Sequence, residues 1–309
     1  MKGLSQKNAP YLFIAPTLIL LALFSLLPIA IALVISFTDM DLAGLADLSN
    51  ISFVGFDNYK EVLLDPSFQK SILNTLFYVI IGVPLVIIIS LLIALLINFG
   101  KARIFKAFRV IFYMPSVTNV VAVAVVWSYL YNPSLGLLNY ILNSLGFGSV
   151  PWLQDPVMAK ISLIILAVCR AIGLNMIIFI AAIKGISKTY YEAAQIDGAG
   201  YFGIFARIAV PMAGPAIIIV FLFSFVWYWN ETYLAGLYFG NELAILPLKL
   251  QQFVDSYNQL YPPGSPGSQL NEAIKLAGTL LTIVPLLVLY FLLQRWFVEG
   301  IDRSGITGE

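Results

Sequence analysis

The chain has 309 residues, of which 60% are hydrophobic and 11% are charged, and its mean hydropathy is +0.92. About a quarter of the residues in a soluble domain are charged, whereas several apolar runs here reach the roughly 20 residues that span the hydrocarbon of a bilayer. The composition therefore excludes an ordinary soluble domain and predicts an all-α polytopic membrane protein, since a β-barrel would show weaker, alternating segments.

The N-terminal part predicts one membrane span followed by an acidic loop. After a short polar start at 1–10, an apolar run extends from Tyr11 to Phe37, and Pro28 is a candidate kink within it. This run is too long for the apolar region of a signal peptide, so we expect it to be retained as the first span. Residues 38–70 form a mixed loop with six acidic residues.

The middle of the chain predicts three more spans. Spans two, three and four are expected at Ile72–Ile97, Val110–Tyr131 and Ala159–Ile183. A basic segment, 100–109, separates spans two and three. Residues 132–136 contain Asn, Pro and Gly and predict a turn, and 137–158 predicts a short interfacial helix with Trp152 as an amphipathic anchor.

The C-terminal part predicts spans five and six. They are expected at Gly214–Leu237 and Ile274–Phe297, and a proline- and glycine-rich loop, 238–273, joins them. Pro84 in span two and Pro285 in span six are expected to interrupt their helices near mid-depth, as is tolerated beside a cavity or neighbouring helices. The predicted division is 1–70 for the tail, first span and external loop, 71–298 for a five-helix core, and 299–309 for a polar tail.

A polar elbow at 184–211 lies between spans four and five. Thr189 and Glu192 have the spacing of a capping box that would begin a short helix, and Asp197-Gly198 is a strong stop because glycine accepts a positive φ. A second short helix is expected from Tyr201 to about Val210. The paired alanines Ala193 and Ala194 would leave a smooth patch that another protein could approach closely.

The basic residues predict the orientation. With six spans, both termini and the elbow lie on the same side, which carries eleven Lys and Arg residues, whereas the opposite side carries five. The positive-inside rule places the side with eleven in the cytoplasm.

The elbow resembles the "EAA" loop of ABC-importer permeases. The resemblance rests on Glu192-Ala193-Ala194, on Asp197-Gly198-Ala199, and on the later residues Phe205, Ile208 and Pro211. It departs from the family pattern in having Val210 where the family has Leu. The resemblance implies a type I ABC importer permease fold with six transmembrane helices, in which the residues 192–194 and 197–199 form a cytoplasmic coupling helix that docks onto an ATPase.

Other segments resemble the carbohydrate-uptake branch, the permeases for maltose, glycerol phosphate and oligosaccharides. In the first half these are Tyr11–Pro16, Phe53–Tyr59 and Asn74–Tyr78. Later, Trp229-Asn230-Glu231 and Gln294–Gly300 resemble the other permease type of the same importers, in which two different permeases usually pair. The resemblance therefore implies a sugar or oligosaccharide substrate but leaves the subtype open.

The membrane interior offers candidate substrate-binding residues. Ionisable groups at depth are costly and by default face a cavity or the protein interior. Arg170 and Glu231 are two such groups, and either could instead fix helix packing. One hypothesis is that Asn230 and Glu231 bind sugar hydroxyls while Trp227 or Trp229 stacks on a sugar ring, although aromatic residues at a span end also form interfacial belts. Further candidates are Tyr228, Tyr233 and Asn175.

No catalytic or metal-binding constellation is predicted. The chain contains no histidine and only one cysteine, Cys169, which predicts a small buried hydrophobic residue rather than a disulfide or a ligand. It also lacks the Gly-x-x-x-x-Gly-Lys-Ser/Thr phosphate loop. We therefore expect no cofactor on this chain and expect ATP and magnesium on a separate ATPase, so that the chain itself is not an enzyme.

The main prediction is the membrane subunit of an ATP-driven importer. Its expected partners are a second permease subunit, two cytoplasmic ATPase subunits, an extracytoplasmic solute-binding protein, a sugar and the bilayer of a bacterial cytoplasmic membrane, with no nucleic acid. The alternative is a self-contained secondary transporter or channel, which would usually show inverted repeats. No such repeat is evident in the sequence.

Overall fold

The computed structural model describes residues 9–41, 51–99, 104–240, 243, 245–253 and 272–305. Within these residues the regular structure is helical, with one isolated antiparallel bridge between Thr38 and Phe53. The helices are α1 (Ala9–Leu21), α2 (Leu27–Ile35), α3 (Asp57–Leu64), α4 (Pro66–Phe99), α5 (Ile104–Val117), α6 (Val120–Leu130), α7 (Leu137–Ser144), α8 (Pro156–Lys184), α9 (Lys188–Ile196), α10 (Tyr201–Ile204), α11 (Val210–Met212), α12 (Gly214–Trp229), α13 (Tyr233–Phe239), α14 (Leu246–Gln251) and α15 (Glu272–Gly305). A π-helical segment, Ala22–Leu26, joins α1 to α2, and another, Phe205–Ala209, joins α10 to α11.

Five apolar helical segments in the described part of the chain are long enough to cross a bilayer. They are Tyr11–Ile35, Pro66–Asn98, Pro156–Lys184, Gly214–Phe239 and Glu272–Trp296. A sixth crossing is possible if α5 and α6 together form one bent span. Five of the six predicted spans therefore lie in single apolar segments.

The third predicted span, Val110–Tyr131, is not one straight helix. Its two parts, α5 and α6, meet at an angle of 104°. The side chain of Asn119 accepts a hydrogen bond from the backbone N–H of Val121 (2.8 Å) and so begins α6 as a new helix. The predicted bounds of the third span therefore extend across both helices, but the bend between them was not predicted from the sequence.

The two prolines at mid-depth do not interrupt their helices. Pro84 lies inside α4 and Pro285 inside α15, and both helices continue on either side. Helix α15 also runs beyond the predicted end of span six at Phe297, as far as Gly305. An internal proline removes one backbone hydrogen bond but does not end a helix that packing holds on both sides.

The described residues group into two units. In the first, which contains residues up to Gln69 and the stretch Lys249–Pro285, the segment after the first apolar run is tied down locally. The side-chain amide of Asn58 donates to the carbonyl oxygens of Ser36 (2.9 Å) and Thr38 (2.7 Å). Residues 38–70 were predicted to be a loop, but they contain α3 and the beginning of α4, because Asn58 and the adjacent aromatic rings give this polar segment a small core of its own.

The second unit contains the stretch Lys70–Leu248 and the residues from Leu286 onward. Its core includes a cluster of apolar side chains from α4, α8 and α12: Ala94, Ile97, Met176, Phe179, Ile180, Ile183 and Val220. Helix α8 begins at Asp155, whose carboxylate accepts from the backbone N–H groups of Val157 and Met158. It packs closely on α5, where the Ser116 hydroxyl donates to the carbonyl oxygen of Arg170 (2.6 Å).

The predicted interfacial helix within 137–158 is α7, and Asn139 organises the segment around it. This buried amide donates to the carbonyl oxygens of Pro133 and Val150 and accepts from the indole N–H of Trp152 (2.9 Å). The ring of Trp152 also lies 5.7 Å from that of Tyr131. Trp152 thus has a packing role inside this segment, in addition to any contact with the membrane interface.

Candidate functional site

Two features of the second unit could serve a function: the polar elbow and a cavity inside the helix bundle. The elbow begins with α9, and Ser187 is its N-terminal cap, since the Ser187 hydroxyl accepts from the backbone N–H of Thr189 (3.4 Å). The predicted capping box at Thr189 and Glu192 was therefore wrong. Thr189 already lies in the first helical turn, whereas Ser187 has the extended backbone (φ −60°, ψ 137°) that a capping residue needs.

The end of α9 is as predicted. Gly198 has a φ of +78°, and the backbone N–H groups of Gly198 and Ala199 donate to the carbonyl oxygens of Gln195 and Ala194. This left-handed turn is readily adopted by glycine and satisfies the last carbonyls of the helix. Helix α9 therefore has a defined beginning and a defined end.

The exposed surface of α9 differs from the predicted alanine patch. Ala194 is buried, whereas Glu192, Ala193, Asp197 and Gly198 are exposed and Ala199 is half-buried. The smooth patch thus consists of Ala193 alone, because two consecutive residues on a helix point in directions about 100° apart. Burial raises the pKa of the Tyr191 hydroxyl on the same helix, so that this side chain stays neutral across the physiological range.

The second half of the elbow is helical but not uniformly α-helical. The expected helix from Tyr201 to about Val210 consists of α10, the π-helical segment Phe205–Ala209 and the beginning of α11. A π-helical turn adds one residue per turn and changes the direction of the side chains that follow it. Ile204 and Ala209 are buried, while Phe202 is 80% exposed.

A cavity of about 480 Å³ lies among α4, α5, α8 and α12. Helix α8 contributes Arg170 and Asn175 to its wall, and the adjacent part of the chain from α12 onward contributes Trp227, Tyr228 and Glu231. All five had been singled out in the sequence as candidate substrate-binding residues. The structure therefore brings together, around one cavity, residues that are up to 61 positions apart in the chain.

Glu231 has a structural role at the edge of this cavity. Its carboxylate accepts from the backbone N–H of Leu234 (2.7 Å) and also interacts with the N–H groups of Tyr233 and Ala235. It thereby caps α13 at the point where the fifth predicted span breaks, between α12 and α13. These backbone donors offset part of the cost of placing a carboxylate inside the protein.

Arg170 is differently placed. Its side chain forms no hydrogen bond or ion pair with any residue that the structure describes, and its Nε atom is buried. Arg170 and Glu231 are near enough to interact electrostatically but form no direct ion pair. The sequence left two explanations for Arg170: it binds substrate, or it fixes helix packing through a partner. The described residues do not include such a packing partner.

Three candidate residues do not line the cavity. Trp229 is 2% exposed and stacks on Phe225 at a ring distance of 5.6 Å. The side-chain amide of Asn230 donates to the carbonyl oxygen of Val226, and Tyr233 is 52% exposed. Because residues 227 and 229 lie about 200° apart around α12, only one of the two tryptophans can face the cavity, and that residue is Trp227.

The sequence did not point to three polar residues of the cavity wall. Tyr78, Ser116 and Ser224 line it, and the Ser224 hydroxyl lies 3.5 Å from the side-chain nitrogen of Asn175. Hydroxyl residues inside apolar runs usually satisfy backbone carbonyls, so neither their type nor their spacing marks them as cavity residues. Within the described residues no group of His, Cys, Asp and Glu side chains could hold a metal ion.

The fold and the cavity define a polytopic helical membrane protein whose bundle contains a mostly apolar cavity with a few polar side chains on its wall, a common arrangement for transporters. Residues 65–303 match the family described as the inner membrane component of binding-protein-dependent transport systems. This match spans most of the chain, and the chain belongs to that family. The predicted membership of the chain in the importer permeases is thereby confirmed, as are the all-α fold and the multi-pass location in a membrane.

Similar proteins include several transport permeases. A probable ABC transporter permease of Pyrococcus horikoshii is 33% identical over 71% of this chain and 78% of its own length. The lactose transport system permease of Rhizobium radiobacter is 33% identical over 67% of this chain and 68% of its own. The arabinooligosaccharides transport system permease of Halalkalibacterium halodurans is 31% identical over 72% and 68%.

A solved structure has the same fold. In the crystal structure of a bacterial alginate ABC transporter in complex with an alginate pentasaccharide-bound periplasmic protein, one chain matches 94% of this chain with a TM-score of 0.69. The match covers 96% of that chain at 20% sequence identity. At this identity the comparison establishes the fold and does not extend to the substrate.

Proposed function

We propose that this chain is the translocation subunit of an ATP-driven carbohydrate importer, and that α9 is the element through which an ATPase acts on it. The observation that supports the proposal is the construction of α9. It is capped at Ser187, stopped at Gly198, anchored by Ala194 and exposed at Glu192, Ala193 and Asp197. A short helix fixed at both ends transmits displacement better than a flexible loop does.

The carbohydrate substrate is inferred from relatives and from the cavity. The similar permeases are named for lactose, for arabinooligosaccharides and for sn-glycerol-3-phosphate. A sugar needs hydrogen-bonding groups for its hydroxyls and an aromatic face for its ring. Asn175 and Ser224 would supply the first, and Trp227, which is 73% exposed, would supply the second.

The proposed cycle is a population shift between two packings of the helix bundle. ATP closes two ATPase subunits on the cytoplasmic side of the membrane. This closure displaces α9, and the cavity changes from inward-open to outward-open. ATP and magnesium are bound by the ATPase subunits. A second permease subunit completes the translocation path, a solute-binding protein delivers the sugar, and the termini and the elbow lie in the cytoplasm.

A charge placed on the exposed alanine tests this role of α9. Ala193→Arg introduces a long cation where the ATPase would have to approach closely, and the helix itself tolerates arginine well. The matched control is Gln195→Arg, since Gln195 is also exposed and lies about 200° around the same helix. We expect Ala193→Arg to lose most of the co-purifying ATPase and of the ATP-driven uptake in proteoliposomes, and Gln195→Arg to keep the larger part of both.

The same preparations distinguish the alternative class. If the purified chain moves solute in liposomes without ATP or an ATPase, a self-contained secondary transporter or channel replaces the proposed function. Equal effects of both arginine variants would contradict the specific contact at Ala193.

A further inference from the structure

Arg170 is the least compensated charge in the cavity. It lies at the fifteenth position of the 29-residue helix α8, near the middle of an apolar span. Its guanidinium has no hydrogen-bond or ion-pair partner among the described residues, and its Nε is shielded from solvent. A charge at this depth is costly unless something compensates it, and the part of the protein that the structure describes provides no direct partner.

The carboxylate of Glu231 cannot fully take this role. Its oxygens accept from backbone N–H groups at the start of α13, with the shortest hydrogen bond from Leu234 at 2.7 Å. If Glu231 turned towards Arg170, the backbone N–H groups in the first turn of α13 would lose their acceptor, which would destabilise the start of that helix. The guanidinium donors of Arg170 therefore remain available to a molecule in the cavity.

We propose that the substrate carries one anionic group, a carboxylate or a phosphate, which Arg170 binds inside the cavity. This inference rests on the proposed transport function and adds the charge of the substrate. A planar guanidinium offers paired donors that match both oxyanions, and such charge-assisted bonds are roughly twice as strong as neutral ones. The relatives do not decide the matter, since they are named both for a neutral sugar and for sn-glycerol-3-phosphate, a polyol phosphate.

The rest of the wall limits the substrate further. Asn175, Ser224 and Ser116 offer neutral hydrogen-bonding groups on the same cavity, and Trp227 offers an aromatic face. These groups suit a sugar ring with hydroxyls beside the anionic group. Among the described residues of the wall, Arg170 is the one Lys or Arg side chain, and a single cation suits one anionic group better than a densely charged molecule.

The first test measures the charge selectivity of the cavity without knowledge of the substrate. Ala171 lines the cavity next to Arg170 and is replaced by cysteine in a Cys169→Ala background, which leaves no other thiol on this chain, and modification of this chain is measured. In the assembled transporter, the rate of modification by an anionic sulfonatoethyl methanethiosulfonate is compared with that by a cationic trimethylammonioethyl methanethiosulfonate. We take the ratio of the anionic to the cationic rate and divide it by the same ratio for a free thiol. We expect this normalised ratio to exceed one, and we expect Arg170→Gln to lower it about tenfold.

The matched control for this measurement is Lys160→Gln. Lys160 is a cation on the same helix, but it lies outside the cavity wall and its Nζ donates to the side-chain oxygen of Asn74. We expect Lys160→Gln to leave the ratio nearly unchanged. A ratio that favours the cationic reagent, or one that Arg170→Gln does not change, overturns the proposal.

The second test uses ATP-driven uptake into proteoliposomes that contain the complete transporter. The probes are matched pairs, galacturonic-acid oligosaccharides against galactose oligosaccharides and a sugar phosphate against the free sugar, so that carboxylate and phosphate substrates are distinguished. Uptake of an acidic member that Arg170→Gln abolishes and Arg170→Lys partly restores supports the proposal. Uptake of a neutral member at a rate that Arg170→Gln does not change overturns the proposal of an anionic substrate and leaves the proposed transport function intact. If no probe is taken up, the ratio of modification rates in the first test decides. Uptake without ATP contradicts the proposed function itself.

Discussion

At the scale of single residues, Gly82 determines where one wall of the cavity lies. A Cβ at this position would overlap Cε1 of Tyr228, so the absence of a side chain allows the tyrosine ring to lie directly against α4. Tyr228 then faces Tyr78 at a ring distance of 4.8 Å, and both residues line the cavity. The shape of this wall therefore depends on a residue that has no side chain.

Replacement of Gly82 by alanine tests this arrangement. We expect Gly82→Ala to displace the Tyr228 ring and to destabilise the protein by about 1–3 kcal/mol, the usual cost of forcing an extra carbon atom into a packed site. Gly236→Ala is the control, because the nearest atom to a Cβ there, Cδ1 of Leu248, is at an ordinary contact distance of 3.6 Å. Thermal unfolding of the purified protein in detergent measures both, and an equal loss in the two variants would contradict the role of Gly82.

Several cavity residues could be predicted from the sequence, and the reason is electrostatic. Arg170 and Glu231 stood out because a charge inside an apolar run is costly and needs an explanation. Nothing in the sequence could show that Glu231 caps α13 while Arg170 has no direct partner in the described part of the chain, since this depends on where the chain breaks after Trp229. Tyr78 was not predicted as a site residue, because its position opposite Tyr228 follows only from the packing of α4 on α12.

At the scale of elements, the stop at Gly198 determines the length and direction of α9. A non-glycine residue at a φ of +78° costs roughly 1–2 kcal/mol, although the surrounding space is open. We expect Gly198→Ala to loosen the end of α9, with faster amide hydrogen exchange over 195–199 and less ATPase retained on purification.

Gly200→Ala is the matched control for Gly198→Ala. A Cβ at Gly200 also meets open space, but Gly200 does not have a positive φ. We expect exchange and ATPase retention close to those of the unmodified protein. If Gly198→Ala behaved like this control, the backbone turn would not be what positions α9.

The elements also show where local sequence is informative and where it is not. The stop of α9 could be predicted because Asp197-Gly198 encodes it locally. The bend between α5 and α6 has a local signal, the Asn119 cap. The packing of α5 on α8, however, depends on distant contacts: the bond from the Ser116 hydroxyl to the carbonyl of Arg170 and the tight approach of Gly173 to the backbone of α5. Helix α3, within the predicted loop 38–70, was missed because it also depends on distant contacts. Its residue Asn58 donates to backbone carbonyls that lie 20 and 22 residues away.

At the scale of the whole molecule, α8 links the elbow to the cavity. It ends at Lys184, three residues before the cap of α9, and Arg170 and Asn175 lie on its cavity-facing side. Arg170 is about 21 Å along the helix axis from Lys184 at 1.5 Å per residue. Between these points Met176, Phe179, Ile180 and Ile183 pack against residues of α4 and α12. A displacement of α9 would therefore reach the cavity through one packed helix.

This link functions only if the ATPase can reach α9, so the most direct test locates the elbow. Ala193→Cys in the Cys169→Ala background places the chain's single thiol at the exposed position of α9 where the ATPase is proposed to bind. A membrane-impermeant maleimide is added to intact cells and, separately, to inside-out vesicles with and without bound ATPase. Coupling through α9 predicts labelling in the vesicles only, with slower labelling when the ATPase is bound. Labelling in intact cells would contradict it, because no cytoplasmic ATPase could then contact the elbow.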